Sequence, residues 1–343
     1  MIRRSPEQRR DDVQRILDAA RSVVERRAGL VSALVESTGL HREGVEHALL
    51  HCLETSATER ELDRLVATAG DAPHVHVILS ANVFVAALRA IALARAAARR
   101  VTVRPSSRDP VFAEHLVRAI ADPAIEIVPD ALPRMDEGEI HVYGRDETIA
   151  RVRASAPPGV VVRGHGAGMG VACISSGDIA RAADNLADDV VPFDQRGCLS
   201  PRVAFVVGEL IRARDFAEKM HASLAARQRT IPRGELSDVE RAEARRYADT
   251  LSFSGVLHEG EGHKVGVASH LVVPPSGRHV HVVPVATMDA LVASLALLER
   301  SIVAIGASDT TQLPSGLPPR ARVSGLGVMQ RPPLDGPVDQ RSS

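Results

Sequence analysis

Short apolar runs alternate with helix-like segments from residue 72 onward, and this alternation constrains the fold more than any other feature. Runs rich in β-branched residues stand at His74–Leu79, Val101–Val103 and Ile125–Val128. An Ala-rich helix-like segment follows the first run, and another, near Pro110–Ala121, follows the second. Strands separated by helices run parallel, because each helix returns the chain to the edge where it started. The pattern therefore predicts an α/β fold with a parallel sheet.

The alternation continues beyond these three strands. Further strands at Glu139–Tyr143 and Val160–Val162 indicate a dinucleotide-binding type of sheet. After residue 198 a second α/β segment is predicted, with strands near 203–207, 264–273 and 279–285 and helices near 209–228, 237–249 and 288–298. Residues 8–68 instead carry apolar residues at three- and four-residue spacing, which is typical of amphipathic helices.

A cluster of glycines at 164–170 suggests where one unit ends. We therefore predict a helical lead-in over 1–70, a nucleotide-binding domain over 71–168, and a catalytic thiol domain with a C-terminal tail over 169–343. The cluster lacks the G-x-G-x-x-G spacing, because Met169 and Val171 occupy the last glycine position in its two registers. A turn between domains and a loop facing a ligand both fit these glycines.

Composition narrows the class of protein. The 343 residues include 42 basic and 43 acidic side chains, so the formal net charge is −1, without the basic excess of a nucleic-acid binder. The absence of Trp, with two Tyr and six Phe, argues against base-stacking surfaces. Cys52, Cys173 and Cys198 form neither a disulfide framework nor a metal-ligand spacing. We expect a globular protein of the reducing cytoplasm, acting on a small or neutral partner.

Two segments bear on targeting. Met1–Glu7 is basic but does not lead into a hydrophobic signal core, so we expect no export. The most apolar long stretch, Val83–Ala98, contains Arg89 and Arg95, which favours a buried amphipathic helix over a membrane span.

Cys198 lies in a polar, turn-rich segment, Phe193–Pro201, directly before the apolar run Val203–Val207. Cysteine is easily made into a nucleophile, because its unperturbed pKa is about 8.5. The flanking Gly197 suggests a backbone shaped to present the thiol. A lone cysteine is more often a small buried side chain, so this segment alone leaves both interpretations open.

Two polar segments, Val103–Pro110 and Val142–Thr148, follow predicted strands. Their hydroxyl and backbone N–H groups are expected at the carboxyl edge of the sheet, where nucleotides bind. Each segment would serve equally well as a simple helix cap.

Histidines occur in two pairs, His74 with His76 and His279 with His281. Residues two apart share one face of a strand. No Cys or carboxylate stands at matching spacing, so structural histidines are favoured over zinc ligands, and we predict no metal site.

Four motifs in order resemble the aldehyde dehydrogenase superfamily: Asn82 after a strand, Val103–Ser107 after the next, Tyr143–Glu147, and Asp194–Pro201. They are most similar to its long-chain acyl-CoA reductase family, the fatty acid reductase component of bacterial luminescence systems. Gly325–Leu334 also resembles the end of that family. The resemblance starts near residue 70 and implies a Rossmann-type cofactor domain with an α/β catalytic domain.

The resemblance also implies a catalytic site. Cys198 would be the nucleophile that takes the acyl group from a thioester, and Asn82 would form an oxyanion hole with the Cys198 backbone N–H. The cofactor would be lined by Arg104, Ser106 and Ser107 near the adenosine ribose, and by Gly144 and Arg145 near the pyrophosphate.

Two departures from the superfamily pattern refine this expectation. The superfamily usually has Lys where Arg104 stands and often Glu where Ser107 stands. Arg and Ser accept a 2′-phosphate that a carboxylate would repel, so we expect NADPH, with NADH as the alternative. Oxidative members also carry a Glu-Leu-Gly-Gly motif whose carboxylate activates water, whereas the matching Val162–Gly168 contains no acid. An acyl-enzyme without that base would wait for hydride, unless His165 substitutes as a base.

We therefore expect NADPH-dependent reduction of a fatty acyl thioester, such as acyl-CoA, to an aldehyde through a thioacyl-Cys198 intermediate. The alternatives are a catalytically degenerate scaffold or acyl-binding protein, and a reductase of another activated acyl group such as an acyl phosphate. Superfamily analogy adds a homo-oligomer and an acyl-activating or acyl-transferring enzyme as expected partners.

Overall fold

The computed structural model describes residues 4–128, 135–175 and 177–341, and residues 1–3 of the N-terminal Met1–Glu7 segment lie outside this described part. The lead-in is helical, as predicted. Its helices are α1 (Pro6–Glu25), α2 (Ala28–Thr38), α3 (Arg42–His47), which runs into a π-helical turn at Ala48–Cys52, and α4 (Glu59–Thr68).

The first sheet has the predicted dinucleotide-binding topology. Its strands are β1 (Ala72–Ile78), β2 (Ala98–Arg104), β3 (Ile125–Ile127), β4 (Gly138–Tyr143) and β5 (Val160–His165), and its helices are α5 (Ala86–Ala97), α6 (Val111–Ile120) and α7 (Asp146–Ser155). The strands are all parallel, in the order β3-β2-β1-β4-β5. The chain builds outward from β1 on one side and then returns to add β4 on the other. The strand order therefore reverses between β1 and β4, where such sheets bind ligands.

The second sheet has seven strands in the order β12-β11-β6-β7-β10-β9-β8. The strands are β6 (Met169–Ile174), β7 (Pro201–Val207), β8 (Val256–Gly260), β9 (His263–Val267), β10 (His279–Val285), β11 (Ile302–Ala307) and β12 (Arg322–Gly325). The helices are α8 (Ile179–Val190), α9 (Leu210–Thr230), α10 (Asp238–Ser254) and α11 (Met288–Ala296). All neighbours are parallel except the β8–β9 hairpin. The strand predicted near 264–273 ends early, and the polar edge strand β8 was not predicted.

The lead-in packs directly on the first sheet. Val13, Ile16 and Leu17 of α1 are fully buried in the same apolar core as Val75 of β1 and Leu88 of α5. Burial of apolar surface is the main favourable term in folding, so these helices and the sheet stabilise one another.

Helix α5 is buried, as predicted, but it lacks the polar face of an amphipathic helix. Every residue after Ala86 is buried, including Arg89 and Arg95. Nη1 of Arg95 lies 2.9 Å from Asp12 Oδ2, and Nη2 of Arg89 lies 2.8 Å from Glu54 Oε1. Acidic partners from distant parts of the lead-in, Asp12 in α1 and Glu54 before α4, neutralise these charges in the interior, which no local pattern reveals. Within the described residues, no helix is long and apolar enough to cross a membrane.

The segment that follows β12 returns to the first sheet, and we call residues 330–341 the C-terminal strap. Leu334 is buried in the core of the lead-in and first sheet, and its N–H donates to Glu61 Oε1 at 3.1 Å. The buried guanidinium of Arg89 donates to three strap carbonyl oxygens at 2.6 to 2.9 Å, those of Pro332, Pro333 and Gly336. The strap thereby joins the second sheet to the core of the first.

Candidate active site

A strained turn precedes Cys198. Phe193, Asp194 and Gln195 have φ values of 55°, 50° and 64°, all in the left-handed region. Non-glycine residues adopt this conformation at a cost of about 1–2 kcal/mol each, so the surrounding structure must hold the turn in place.

A buried ion pair helps to keep the turn in this left-handed conformation. Asp194 is 1% exposed, and its Oδ1 lies 2.8 Å from Nη2 of Arg278. Its Oδ2 accepts a hydrogen bond from the Gly234 N–H at 3.0 Å, and its carbonyl oxygen accepts one from the Gly277 N–H at 3.0 Å. Arg278 also donates to the carbonyl oxygen of Ile231 at 2.6 Å. The turn is therefore fixed to both the α9–α10 connection and the start of β10.

Gln195 fixes the other side of the turn. Its side chain is fully buried, and its Nε2 donates to the carbonyl oxygens of Pro201 and His279, each at 2.7 Å. Its Oε1 accepts from the His279 N–H at 2.8 Å. All three bonds are satisfied in the interior, where an unmade one is costly. Because Pro201 opens β7, Gln195 sets the path of the chain on both sides of Cys198.

Cys198 lies at the edge of the second sheet where β6 and β7 begin. Its side chain is partly exposed. The Gly170 N–H donates to the Ser200 carbonyl oxygen at 3.0 Å, and a Cβ on Gly170 would lie 2.2 Å from the Leu199 carbonyl oxygen. Strand β6 thus approaches the backbone of the Cys198 loop so closely that only glycine fits at position 170.

The remaining glycines of the 164–170 cluster have a similar role. A Cβ at Gly164, Gly166 or Gly168 would come within 2.5 Å of Ile149, Asp146 or Val303 respectively. These glycines therefore allow close packing where the chain passes from β5 to β6. The structure favours a tightly packed crossover over the phosphate-loop interpretation.

The environment of Cys198 disfavours the thiolate. Burial raises its pKa to about 11, and the Asp339 carboxylate of the strap adds to this shift, while the cations of Arg341 and Arg89 oppose it. At neutral pH the free protein therefore holds Cys198 as a thiol. The charged side chains that shift the pKa of Cys198 come from the strap, Asp339 and Arg341, and from α5, Arg89.

His165 and Tyr143 form an aromatic wall at the end of the first sheet. Their rings stack with centroids 4.4 Å apart and planes 13° apart. Burial lowers the pKa of His165 to about 4, so the imidazole is neutral at pH 7. Burial also raises the pKa of Tyr143, on which the charges of Arg89 and Cys198 act in opposite senses.

Asn82 lies in the loop after β1 and is exposed. Its Oδ1 accepts from Nη2 of Arg108 at 3.4 Å, which leaves the side-chain N–H groups available. Val83, the next residue, has its Cγ2 3.2 Å from where a Cβ on Gly197 would stand. The loop that carries Asn82 therefore meets the loop that carries Cys198.

The proposed cofactor residues lie together at one edge of the first sheet. Ile78 of β1 is in register with Arg104 of β2 and with Val142 of β4. Ser106, Ser107, Gly144 and Arg145 follow these aligned positions by two or three residues. All five predicted cofactor residues thus lie at the carboxyl edge of the first sheet, around the point between β1 and β4 where the strand order reverses.

The helix-cap interpretation of these segments is wrong. Neither α6 nor α7 receives a side-chain hydrogen bond at its N-cap. Ser106 Oγ instead accepts from the Arg108 N–H at 3.3 Å, which shapes a local turn. Asp146 and Glu147 in the first turn of α7 would repel a phosphate, so the exposed Arg145 side chain is the available cation there.

Three of the four paired histidines make side-chain hydrogen-bond contacts, whereas the ring nitrogens of the buried His279 have no such partner among the described residues. His74 Nε2 and His76 Nδ1 both lie 2.8 Å from Thr102 Oγ1, and His281 Nε2 lies 2.9 Å from the His270 carbonyl oxygen. In residues 4–128, 135–175 and 177–341, no group of three His, Cys, Asp or Glu side chains is placed to hold a metal ion.

Sequence reasoning missed the functional weight of Asp194, Gln195 and Arg278. The first two belong to the Asp194–Pro201 motif but suggested no role of their own. Arg278 is more than eighty residues away in sequence, since its bond to Asp194 joins positions 84 apart. Only the fold brings the three together.

Comparison with solved structures places the fold among aldehyde dehydrogenases. An oxidoreductase from Marinobacter aquaeolei matches with a TM-score of 0.75 at 14% identity, covering 97% of this chain and 80% of that one. An aldehyde dehydrogenase of Mycobacterium tuberculosis complexed with NAD+ matches with a TM-score of 0.68 at 16% identity, covering 94% and 78%. An NADP-dependent glyceraldehyde-3-phosphate dehydrogenase of Bacillus halodurans complexed with NADP gives 0.64 at 13%, covering 89% and 74%.

The sequence assigns the chain more narrowly within this fold. Residues 38–314 match the acyl-CoA reductase (LuxC) family, so the chain belongs to that family and is an acyl-CoA reductase. This confirms the family resemblance drawn from the four motifs. No curated protein sequence gives a significant match.

The reactivity of Cys198 should report its raised pKa. We expect alkylation by iodoacetamide to accelerate with pH up to about 11, because the thiolate is the reacting form. Asp339→Asn should lower this pKa and speed alkylation several-fold near pH 8, since the carboxylate disfavours the thiolate. Intact-mass spectrometry over a pH series measures both rates, with Cys198→Ala as the blank. A plateau near the ordinary cysteine pKa in the wild type would contradict the argument.

Gln195→Leu should destabilise the turn while preserving the size of the side chain at position 195. It leaves buried groups of Pro201 and His279 unpaired, at about 1–3 kcal/mol each, so the free energy of unfolding should fall by at least about 2 kcal/mol. Reductase activity should fall more than tenfold as the thiol moves. Urea titration and aldehyde assays measure these effects, and Gln14→Leu at the surface is the matched control. Equal losses in both variants would refute the role of Gln195.

Proposed function

We propose that the protein reduces a fatty acyl thioester to an aldehyde with NADPH, through a thioacyl intermediate on Cys198. The observation that carries this proposal is the position of Cys198 in a chain of the acyl-CoA reductase family. The thiol follows a turn held by buried contacts, and its loop meets the loop of Asn82. A nucleophile beside a hydrogen-bond donor is the arrangement that acyl transfer requires.

The first half of the reaction is a thioester exchange. Sγ of Cys198 attacks the acyl carbonyl carbon, and the side-chain N–H of Asn82 and the Cys198 backbone N–H stabilise the resulting oxyanion. The bond from carbon to the carrier sulfur then breaks, and the proton of Cys198 leaves with the carrier thiol. The carrier thioester has been exchanged for a thioester on Cys198, so this half of the reaction involves no oxidation or reduction.

The second half is a reduction, for which NADPH supplies the hydride. The bond between Sγ and the acyl carbon breaks as the aldehyde forms, and Cys198 recovers a proton. The structure offers no carboxylate in 162–168 to activate water against the acyl-enzyme. Asp339 acts on the thiol, but both of its carboxylate oxygens are already paired with the guanidinium of Arg341, each at 2.9 Å.

Two side chains support NADPH. Arg104 offers a cation and Ser107 an exposed hydroxyl at the edge beside the β1–β4 crossover. Neither would repel a 2′-phosphate. The structurally similar proteins from Mycobacterium tuberculosis and Bacillus halodurans are complexed with NAD+ and NADP respectively, so the fold accommodates both cofactors.

By superfamily analogy we also propose a homo-oligomer that receives its acyl group from an acyl-activating or acyl-transferring enzyme. The free thiols of Cys52, Cys173 and Cys198 suit the cytoplasm that we propose as its location.

A covalent adduct tests the mechanism. Incubation with a long-chain acyl-CoA should add one acyl group to the wild type, and NADPH should remove it with formation of one aldehyde. Cys198→Ala should gain no adduct, whereas Cys173→Ala, which removes a buried thiol, should behave as the wild type. Intact-mass spectrometry with aldehyde trapping follows both steps. No adduct with any thioester would instead favour a catalytically degenerate scaffold, and an adduct from acyl phosphate alone would favour the other activated acyl group.

Cofactor preference tests Arg104. We expect kcat/KM with NADPH to exceed that with NADH, and Arg104→Ser to reduce the ratio at least tenfold, because a charged contact to the 2′-phosphate is lost. Arg100→Ser, on the same strand and paired with Glu126 at the surface, should leave the ratio unchanged. A wild type that prefers NADH would overturn the NADPH proposal and leave the covalent mechanism intact.

A further inference from the structure

A cavity of about 400 Å³ opens beside the start of β11. Three guanidinium groups line it, those of Arg300, Arg320 and Arg341, together with the single carboxylate of Glu299. Pro318 and Pro319 form part of its apolar wall. The cavity therefore carries an excess of positive charge in a protein whose net charge is close to zero.

Two of these cations are not neutralised by the protein. Among the described residues, Arg300 and Arg320 have no ion-pair partner, and both are exposed. Nη1 of Arg320 donates to the Arg341 carbonyl oxygen at 2.8 Å, which holds its side chain against the strap. Arg341 itself is paired with Asp339. An anion entering the cavity would meet two free guanidinium groups, which bind phosphate oxygens in a forked geometry.

The cavity lies on the same edge of the second sheet as Cys198. Ile302, the first residue of β11, is in register with Met169 of β6, and the next residue of β6, Gly170, is in register with Pro201 of β7. The three strands are parallel, so their amino ends share one edge.

Arg341 connects the cavity to the loop of Cys198. Its Nη2 donates to the Ala167 carbonyl oxygen at 3.0 Å and lies 2.7 Å from where a Cβ on Gly168 would stand. Gly170, two residues after Gly168, donates its N–H to the Ser200 carbonyl oxygen beside the thiol. The cation of Arg341 also lowers the pKa of Cys198, so the two are electrostatically coupled.

We propose that this cavity binds the phosphate groups of the thiol carrier while the acyl group reacts at Cys198. The inference rests on the proposed function, because a thioester substrate must bring its carrier to the thiol. In acyl-CoA and in acyl-phosphopantetheine a flexible arm joins the reacting sulfur to phosphate, which matches a thiol with a phosphate-binding cavity on the same edge. Arg104 and Arg145, proposed for the cofactor, belong to the first sheet, so carrier and cofactor would not compete for the same cations.

Thioesters with and without phosphate test the proposal. Acylation of Cys198 is measured by intact mass with dodecanoyl-CoA, dodecanoyl-4′-phosphopantetheine and dodecanoyl-N-acetylcysteamine, which carries no phosphate. In the double variant Arg300→Gln, Arg320→Gln we expect the concentration for half-maximal rate to rise at least tenfold with dodecanoyl-CoA. It should not change with the N-acetylcysteamine thioester. Arg229→Gln, an exposed arginine on α9, is the control for loss of a surface charge.

The outcomes separate the two proposals. A tenfold rise with both phosphate-bearing thioesters assigns the cavity to the phosphate next to the pantetheine arm, and a rise with dodecanoyl-CoA alone assigns it to the remaining phosphates of CoA. No change with either, or an equal change with the N-acetylcysteamine thioester, overturns the inference while the covalent mechanism stands. A wild type that none of the three thioesters acylates refutes the proposed function itself.

Discussion

The buried ion pair of Asp194 with Arg278 is the interaction on which the active site depends. It holds three consecutive residues in a left-handed turn whose conformational cost is about 3–6 kcal/mol in total. Removing one partner of such a buried pair typically costs about 3–5 kcal/mol, because an uncompensated charge remains in the interior. Loss of either partner would therefore destabilise the segment that holds the turn. Since Arg278 also binds the α9–α10 connection, the loop of Cys198 is fixed to β10 and to that connection at once.

The balance of charge around the thiol follows from this rigidity. A fixed Cys198 has a fixed distance to Asp339, Arg341 and Arg89, so its pKa is set by the fold and not by local solvent. Protonation at rest protects the thiol from oxidation, because the thiolate is the form that oxidants attack.

Local sequence patterns were sufficient for the architecture, whereas the role expected for Cys198 came from the ordered motifs of the family resemblance. Strand runs such as His279–Val285 were predicted at their true bounds, because alternation of apolar runs with helices is a local property. The burial of Arg89 was not predictable, since Glu54 and the strap carbonyl oxygens are distant in sequence. The left-handed turn escaped notice because Phe193 and Gln195 are not residues that favour it. The cavity beside β11 likewise combines arginines that are scattered along the chain.

The strap gives the chain an unusual order of assembly. Arg89 donates to carbonyl oxygens of residues that lie 243 to 247 positions later in the chain. Leu334, from the same segment, fills part of the core of the lead-in and first sheet. During synthesis the lead-in and the first sheet leave the ribosome long before that segment exists, so they emerge with a buried cation lacking three of its acceptors and with a gap in the core. The first unit to be made is thus among the last to be finished. A nascent chain of this protein depends on its own later residues to complete its earliest fold.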